Sequence, residues 1–157
     1  MDKKNKHRIY FLLFVILSVT FYLITGCTSV PKPPDCINKS ALNAVLSWGE
    51  SKNGEIDEYY ILKMNGEISK VKGDISSRLS FMPPDSLCEI LKEIGRLIIE
   101  VQSLNVPADH NNFIMYKNPD RDYFFRALWN PEFDNSGNRD FKKLYSRLDN
   151  LIDKEKK

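Results

Sequence analysis

The alternation of apolar and polar residues divides this chain into a leader, a spacer and a folded part. Residues 9–26 form an eighteen-residue run without a charge, rich in Phe, Leu, Ile and Val, behind the basic Lys3, Lys4, Lys6 and Arg8. The pattern then breaks. Residues 28–40 hold Pro31, Pro33 and Pro34 among polar neighbours, the composition of an extended tether. Residues 41–48 are apolar and fit a strand or a short helix, since periodicity does not separate the two over so short a run. Residues 55–64, with Tyr59, Tyr60, Ile61 and Leu62, have strand content, as do residues 67–72 with Ile68 and Val71. Asn65-Gly66 between them predicts a hairpin, because both turn positions need positive φ.

Residues 73–80 read as a polar connection, although Leu79 and Phe81 can extend a strand. Pro83, Pro84 and Asp85 open a helix that runs to about residue 102. Leu87, Leu91, Ile94, Ile98 and Val101 recur at spacings of three and four, and Ile90, Leu97 and Ile99 widen the stripe. That helix is expected to be largely covered and central to the core. Residues 104–112 read as a loop around Pro107. Residues 113–117 and 122–129 then form strands about the turn Asn118-Pro119-Asp120-Arg121. Tyr123, Phe125, Ala127 and Trp129 share one face of the second. A last helix covers residues 139–154, with Phe141, Leu144, Tyr145, Leu148, Leu151 and Ile152 on its apolar side and a charged tail beyond.

The order hairpin, helix, hairpin, helix predicts an α+β domain over residues 41–157. Its expected form is two-layer: an antiparallel sheet of about four to five strands with two helices on one face.

The leader carries the most specific signal. Basic residues, an apolar run and a small-residue cleavage site make a secretory pattern, while eighteen residues can also just span a bilayer. Ile24-Thr25-Gly26-Cys27, at the end of the run, resembles the lipobox of bacterial lipoproteins. The resemblance implies cleavage after residue 26, a diacylglyceryl thioether on Cys27 and acylation of the new N-terminus. Residues 1–26 are then the signal peptide, and residues 27–40 the lipidated cysteine and tether. Thr28 is not the Asp that holds many Gram-negative lipoproteins at the inner membrane. The expected address is the cell envelope, at the outer membrane facing the periplasm or the cell surface if the source is Gram-negative.

The leader also accounts for the charge. It holds four of the 23 Lys and Arg residues and one of the 21 Asp and Glu residues, leaving 19 against 20. With no basic excess or cluster, nucleic acid is not an expected partner. Of three cysteines, two remain after lipidation. Cys36 and Cys88 can pair in an oxidising compartment, or Cys88 can be a small apolar core residue.

The remaining residues contain no coherent catalytic set. His110 is the one histidine left after cleavage, and a catalytic zinc normally takes three protein ligands. Cys88 near a helix start could be a nucleophile, but a base is lacking. Residues 134–140 alternate oxygen side chains as calcium loops do, yet a loop starting at Asp134 has Arg139 at its sixth position and Tyr145 at its twelfth. Glu89 and Glu93 read as a solvated helix face. No motif calls for a cofactor or a metal. Tyr123, Phe125 and Trp129 fit either a core or a binding surface for sugar or peptide.

The expectation is a membrane-anchored, non-catalytic module that binds an envelope protein, a peptide or cell-wall material. From about residue 56 to residue 152, the element order and apolar pattern resemble the emfourin-type inhibitors of secreted metalloproteases, which implies protease inhibition as one form of binding. A hydrolase using carboxylates alone is the alternative from another class.

Overall fold

The computed structural model describes residues 30–153. The expected signal peptide, Cys27 and the last residues of the charged tail lie outside the described residues.

Among the described residues seven strands and two α-helices follow one another as β1 (Val45–Lys52), β2 (Glu58–Lys63), β3 (Glu67–Lys72), β4 (Ile75–Phe81), α1 (Pro84–Val101), β5 (Leu104–Asn105), β6 (His110–Asn118), β7 (Tyr123–Trp129) and α2 (Arg139–Asp153). They build one sheet in the order β4-β3-β2-β1-β6-β7-β5. Neighbours are antiparallel except β5, which runs parallel to β7. The α+β class stands, but the expected antiparallel sheet of four to five strands is wrong. The sheet is mixed and has seven.

Each added strand has a physical reason. The ambiguous apolar run resolves into a 3₁₀ turn, Lys39–Ala41, and the strand β1, which lies between β2 and β6 and bonds to both. The segment read as a polar connection is β4, an edge strand bonded to β3 alone. Almost all its side chains are exposed, so nothing required an apolar alternation there. β5 is two residues long, too short to show a period, and two backbone pairings onto β7 suffice to make it.

A hairpin joins β2 to β3 as predicted, but of Asn65-Gly66 only Gly66 takes positive φ: its N–H donates to the Lys63 carbonyl at 2.9 Å, which puts Met64 and Asn65 at the centre of the turn. Gly66 has φ +85°, and a Cβ on it would stand 2.6 Å from the Met82 carbonyl oxygen. The Gly66 carbonyl in turn accepts from the Met82 N–H at 2.8 Å. Only glycine meets both demands.

Both helices pack on one face of the sheet. Leu46, Trp48, Leu62, Ile114, Phe125, Ala127 and Trp129 meet Leu87, Ile90, Ile94 and Leu97 of α1 and Phe141, Leu144 and Leu148 of α2. Ile99, which the sequence placed on the covered stripe, is 77% exposed on the solvent side of α1. Across the helices Arg147 donates to Glu93 at 2.6 Å and to Glu89 at 3.2 Å. Exposed pairs of this sort contribute little.

The segment read as the end of the tether is fastened to the domain. Cys36 is disulfide-bonded to Cys88 near the start of α1, with Cα atoms 6.0 Å apart. The Ser40 carbonyl accepts from Asn118 Nδ2 at 3.0 Å, and Ser40 Oγ accepts from Arg121 Nε at 2.9 Å. Closing a loop of 52 residues restricts the unfolded chain, by about 4 kcal/mol on the chain-entropy estimate. Urea denaturation of the Cys36→Ser/Cys88→Ser protein should therefore show a loss of up to ~4 kcal/mol. Two free thiols in unreduced, denatured wild-type protein would disprove the bridge.

Candidate functional site

Of the three aromatic residues offered as a binding surface, two are interior. Trp129 is fully buried and Phe125 is 3% exposed. Both meet Phe141 of α2, Trp129 in a tilted pair at a centroid distance of 6.2 Å and Phe125 stacked at 5.8 Å. Period-two alternation turns every second residue of β7 to the helices, so these rings fill the core and are withdrawn as binding residues. Tyr123 stands at the end of the strand, 40% exposed.

There Tyr123 helps to line a groove of about 540 Å³. One wall is α1, where Leu91, Ile94, Gly95 and Ile98 lie at helical spacing along a single side. The facing wall is the end of the β6–β7 hairpin, with Tyr116, Asn118, Arg121 and Tyr123. Residues 36–41 border it, and the buried Met64 also lines it. The Tyr116 and Tyr123 rings lie 6.3 Å apart in a tilted pair. Burial pushes the Tyr116 phenol above its ordinary pKa, so it stays neutral and can donate a hydrogen bond at physiological pH. Asn118 is committed elsewhere, since its Oδ1 accepts from the Asp120 N–H and its Nδ2 donates to Ser40. The site is thus an apolar trough with phenols and a guanidinium along one rim. Its size is that of a ligand cleft.

Gly95 decides how deep this trough is. It sits inside α1 with nothing within 4 Å of where a Cβ would be. Neither backbone strain nor close packing therefore asks for glycine. Relative to alanine it costs the helix about 1 kcal/mol.

A second cleft, of about 440 Å³, opens at the other end of the sheet. Glu50, Glu55, Asp57, Glu58 and Asp149 line it with Tyr60 and Tyr145. Its carboxylates are largely engaged: Glu58 with Lys70 at 2.7 Å, Asp57 with Lys72 at 3.8 Å, Glu50 with His110 at 3.2 Å. The hydrogen bond from Lys70 holds the Glu58 carboxyl below its usual range. A carboxylic general acid needs the opposite shift. Burial pushes the Tyr145 phenol well above its ordinary range.

The other sequence candidates fall into place separately. His110 opens β6 rather than lying in a loop, and its Nε2 is 3.2 Å from Glu50. Cys88 is in the disulfide. Residues 134–140 form the turn that leads into α2: Asn138 Oδ1 accepts from the Asn135 N–H, and its Nδ2 donates to the Phe133 carbonyl. Lys142 donates to Asp134 at 2.5 Å, placing a cation where a calcium ion would need an open carboxylate. Among the described residues no three His, Cys, Asp or Glu side chains are grouped to hold a metal ion.

Sequence reasoning missed Gly95 and Tyr116 as groove residues. The signal for Gly95 was present, a glycine within the apolar stripe of a helix. Nothing marked Tyr116, which depended on knowing the register of the second hairpin.

No protein-family model matches the chain, and no curated protein matches it.

Gly95→Ala is expected to raise stability by about 0.5–1 kcal/mol, since the new methyl enters open space and the helix gains propensity. A lowered urea midpoint would show that the space above Gly95 is filled in the folded protein.

Proposed function

We propose that this chain is a bacterial envelope lipoprotein, anchored through lipid on Cys27, that acts without catalysis by gripping an apolar segment of a partner polypeptide. The observation that carries this reading is the open trough over Gly95. A helix gives up about 1 kcal/mol there, and the result is a groove walled by Leu91 and Ile98 on one side and Tyr116 and Tyr123 on the other. Apolar anchors at helical or extended spacing fill such a trough, and the rim hydroxyls and Arg121 meet the partner's backbone carbonyls. In a Gram-negative source the expected position is the outer membrane, facing the periplasm or the cell surface.

The groove reading is tested by filling the site from within. Gly95→Trp puts an indole into the trough from an ordinary helical position, leaving the disulfide and sheet untouched. Crosslinking in whole envelopes should enrich one partner on the wild-type protein, and the variant should lose it at least tenfold at equal abundance. Equal enrichment would remove the groove from the function. The anchor is tested separately. Cys27→Ser should leave an uncleaved precursor that takes up no labelled fatty acid, whereas wild-type labelling in that variant would place the lipid on another residue.

A further inference from the structure

The sheet has a second face, which does not join the helix-packed core. In β1, β2, β6 and β7 its positions are those alternating with the core residues, and register aligns them in rows. The row nearest the incoming chain reads Lys63, Val45, Lys117, Phe124. The next reads Ile61, Ser47, Met115, Arg126. Phe113 behind them is buried, yet lies outside the cluster that the helices cover.

Three features of this face bear on what could meet it. Phe124 leaves 58% of its area in solvent near the start of β7, where Tyr123 on the other face is 40% exposed while Phe125 and Trp129 further along are buried. On β3 and β4 the same face adds Arg78, which lies over the Phe81 ring, and Glu67, which pairs with Lys63 at 2.6 Å. Within its strands the face sets four cations against one carboxylate, although the chain after its leader is close to neutral and Asp120 and Asp122 lie in the adjoining β6–β7 turn. Among the described residues neither Lys117 nor Arg126 forms an ion pair. An apolar band edged by unspent cations suits an interface that is greasy inside and negative at its surface.

The course of the chain selects the occupant. Ser40 is held by Asn118 and Cys36 by Cys88 on the helix-covered side, and Asn118 is next in sequence to Lys117, so the chain joins the domain at this same end of the sheet. Eight residues lie between Cys27 and Cys36, a span of at most about 30 Å when extended. That is within reach of the bilayer for any domain held at Cys27. We infer that the face carrying Val45, Lys63, Lys117, Phe124 and Arg126 docks on the anionic lipid surface to which the chain is anchored, with Phe124 entering the headgroup layer.

This inference rests on the anchor proposed above, and the test keeps the two apart. The full chain is reconstituted in vesicles of zwitterionic lipid alone, or with about a third anionic lipid. Flotation reports anchoring. Docking is read in the unmodified protein by acetylation with an amine reagent: Lys117 should react at least threefold more slowly on anionic than on zwitterionic vesicles, with Lys92 on α1 unchanged. In the Phe124→Trp protein, brominated anionic lipid should quench the new indole. High salt, or Lys117→Glu with Arg126→Glu, should relieve at least half of that quenching. Flotation without protection or quenching overturns the docking and leaves the anchor standing. Failure to float overturns both. Lys117 protection that is equal in the two vesicle types and grows with protein density assigns the face to a second copy of this chain and overturns the lipid reading.

Discussion

The fold depends on the pairing of β1 with β6 at the centre of the sheet. Eight consecutive positions, from Val45 opposite Lys117 to Lys52 opposite His110, join segments about sixty to seventy residues apart. On one side β1 holds β2, β3 and β4, and on the other β6 holds β7 and β5. Neither hairpin with its helix would enclose a core alone. The register also fixes which face is which: Leu46 and Trp48 point to the helices, while Val45 and Ser47 point away. A slip of one residue would exchange them, exposing an indole that is now fully buried and stacked on Tyr60 at 5.5 Å.

That constraint divides the work of the molecule between two faces and two ends. The covered face supplies the stabilising burial, through the two tryptophans, the phenylalanines and the helix stripes. The other face and the groove beside Tyr123 are left to make contacts with something else. Charge is divided along the other axis. Lys63 and Lys117 lie at the end where the chain enters β1, while Glu50, Glu55, Asp57 and Asp149 lie around the far cleft. The far cleft's carboxylates are mostly paired, with Lys70, Lys72 and His110, and of the two lysines Lys117 is the charge left for a contact outside the fold.

Much of this arrangement was legible in the sequence, and the failures have a common cause. Both helices, the Asn65-Gly66 hairpin and the hairpin around Asn118 follow from patterns created by half-burial or by turn chemistry. β4 was unreadable because an edge strand beyond the helices has no buried side to mark it, and β5 because two residues cannot show a period. Ile99 misled for the converse reason, a single apolar residue on the solvent side of a helix that is otherwise well patterned. The choice between core and surface for Phe125 and Trp129 needed the position of α2, which no local pattern contains. Cys36 and Cys88 were recognisable as a pair able to bond, but their approach to 6.0 Å depends on the fold bringing the chain entry beside α1.

The places where local rules are broken without a structural return are those that best indicate function. Gly66 breaks helix and strand propensity and repays it in a turn that no other residue could form. Gly95 breaks propensity and repays nothing within the domain, because its missing Cβ faces open space. Phe124 leaves a ring in water one residue from a strand position where the ring is buried. Sequences specify folds by agreement between levels, and a disagreement that the fold itself does not use is what a contact outside the fold would require. Exposed apolar residues occur elsewhere too, as at Ile99 and Phe133, but Gly95 and Phe124 lie together at the end of the sheet where the chain enters, one on each face. This end, and not the acidic cleft with its paired carboxylates, is where the molecule is built to meet its surroundings.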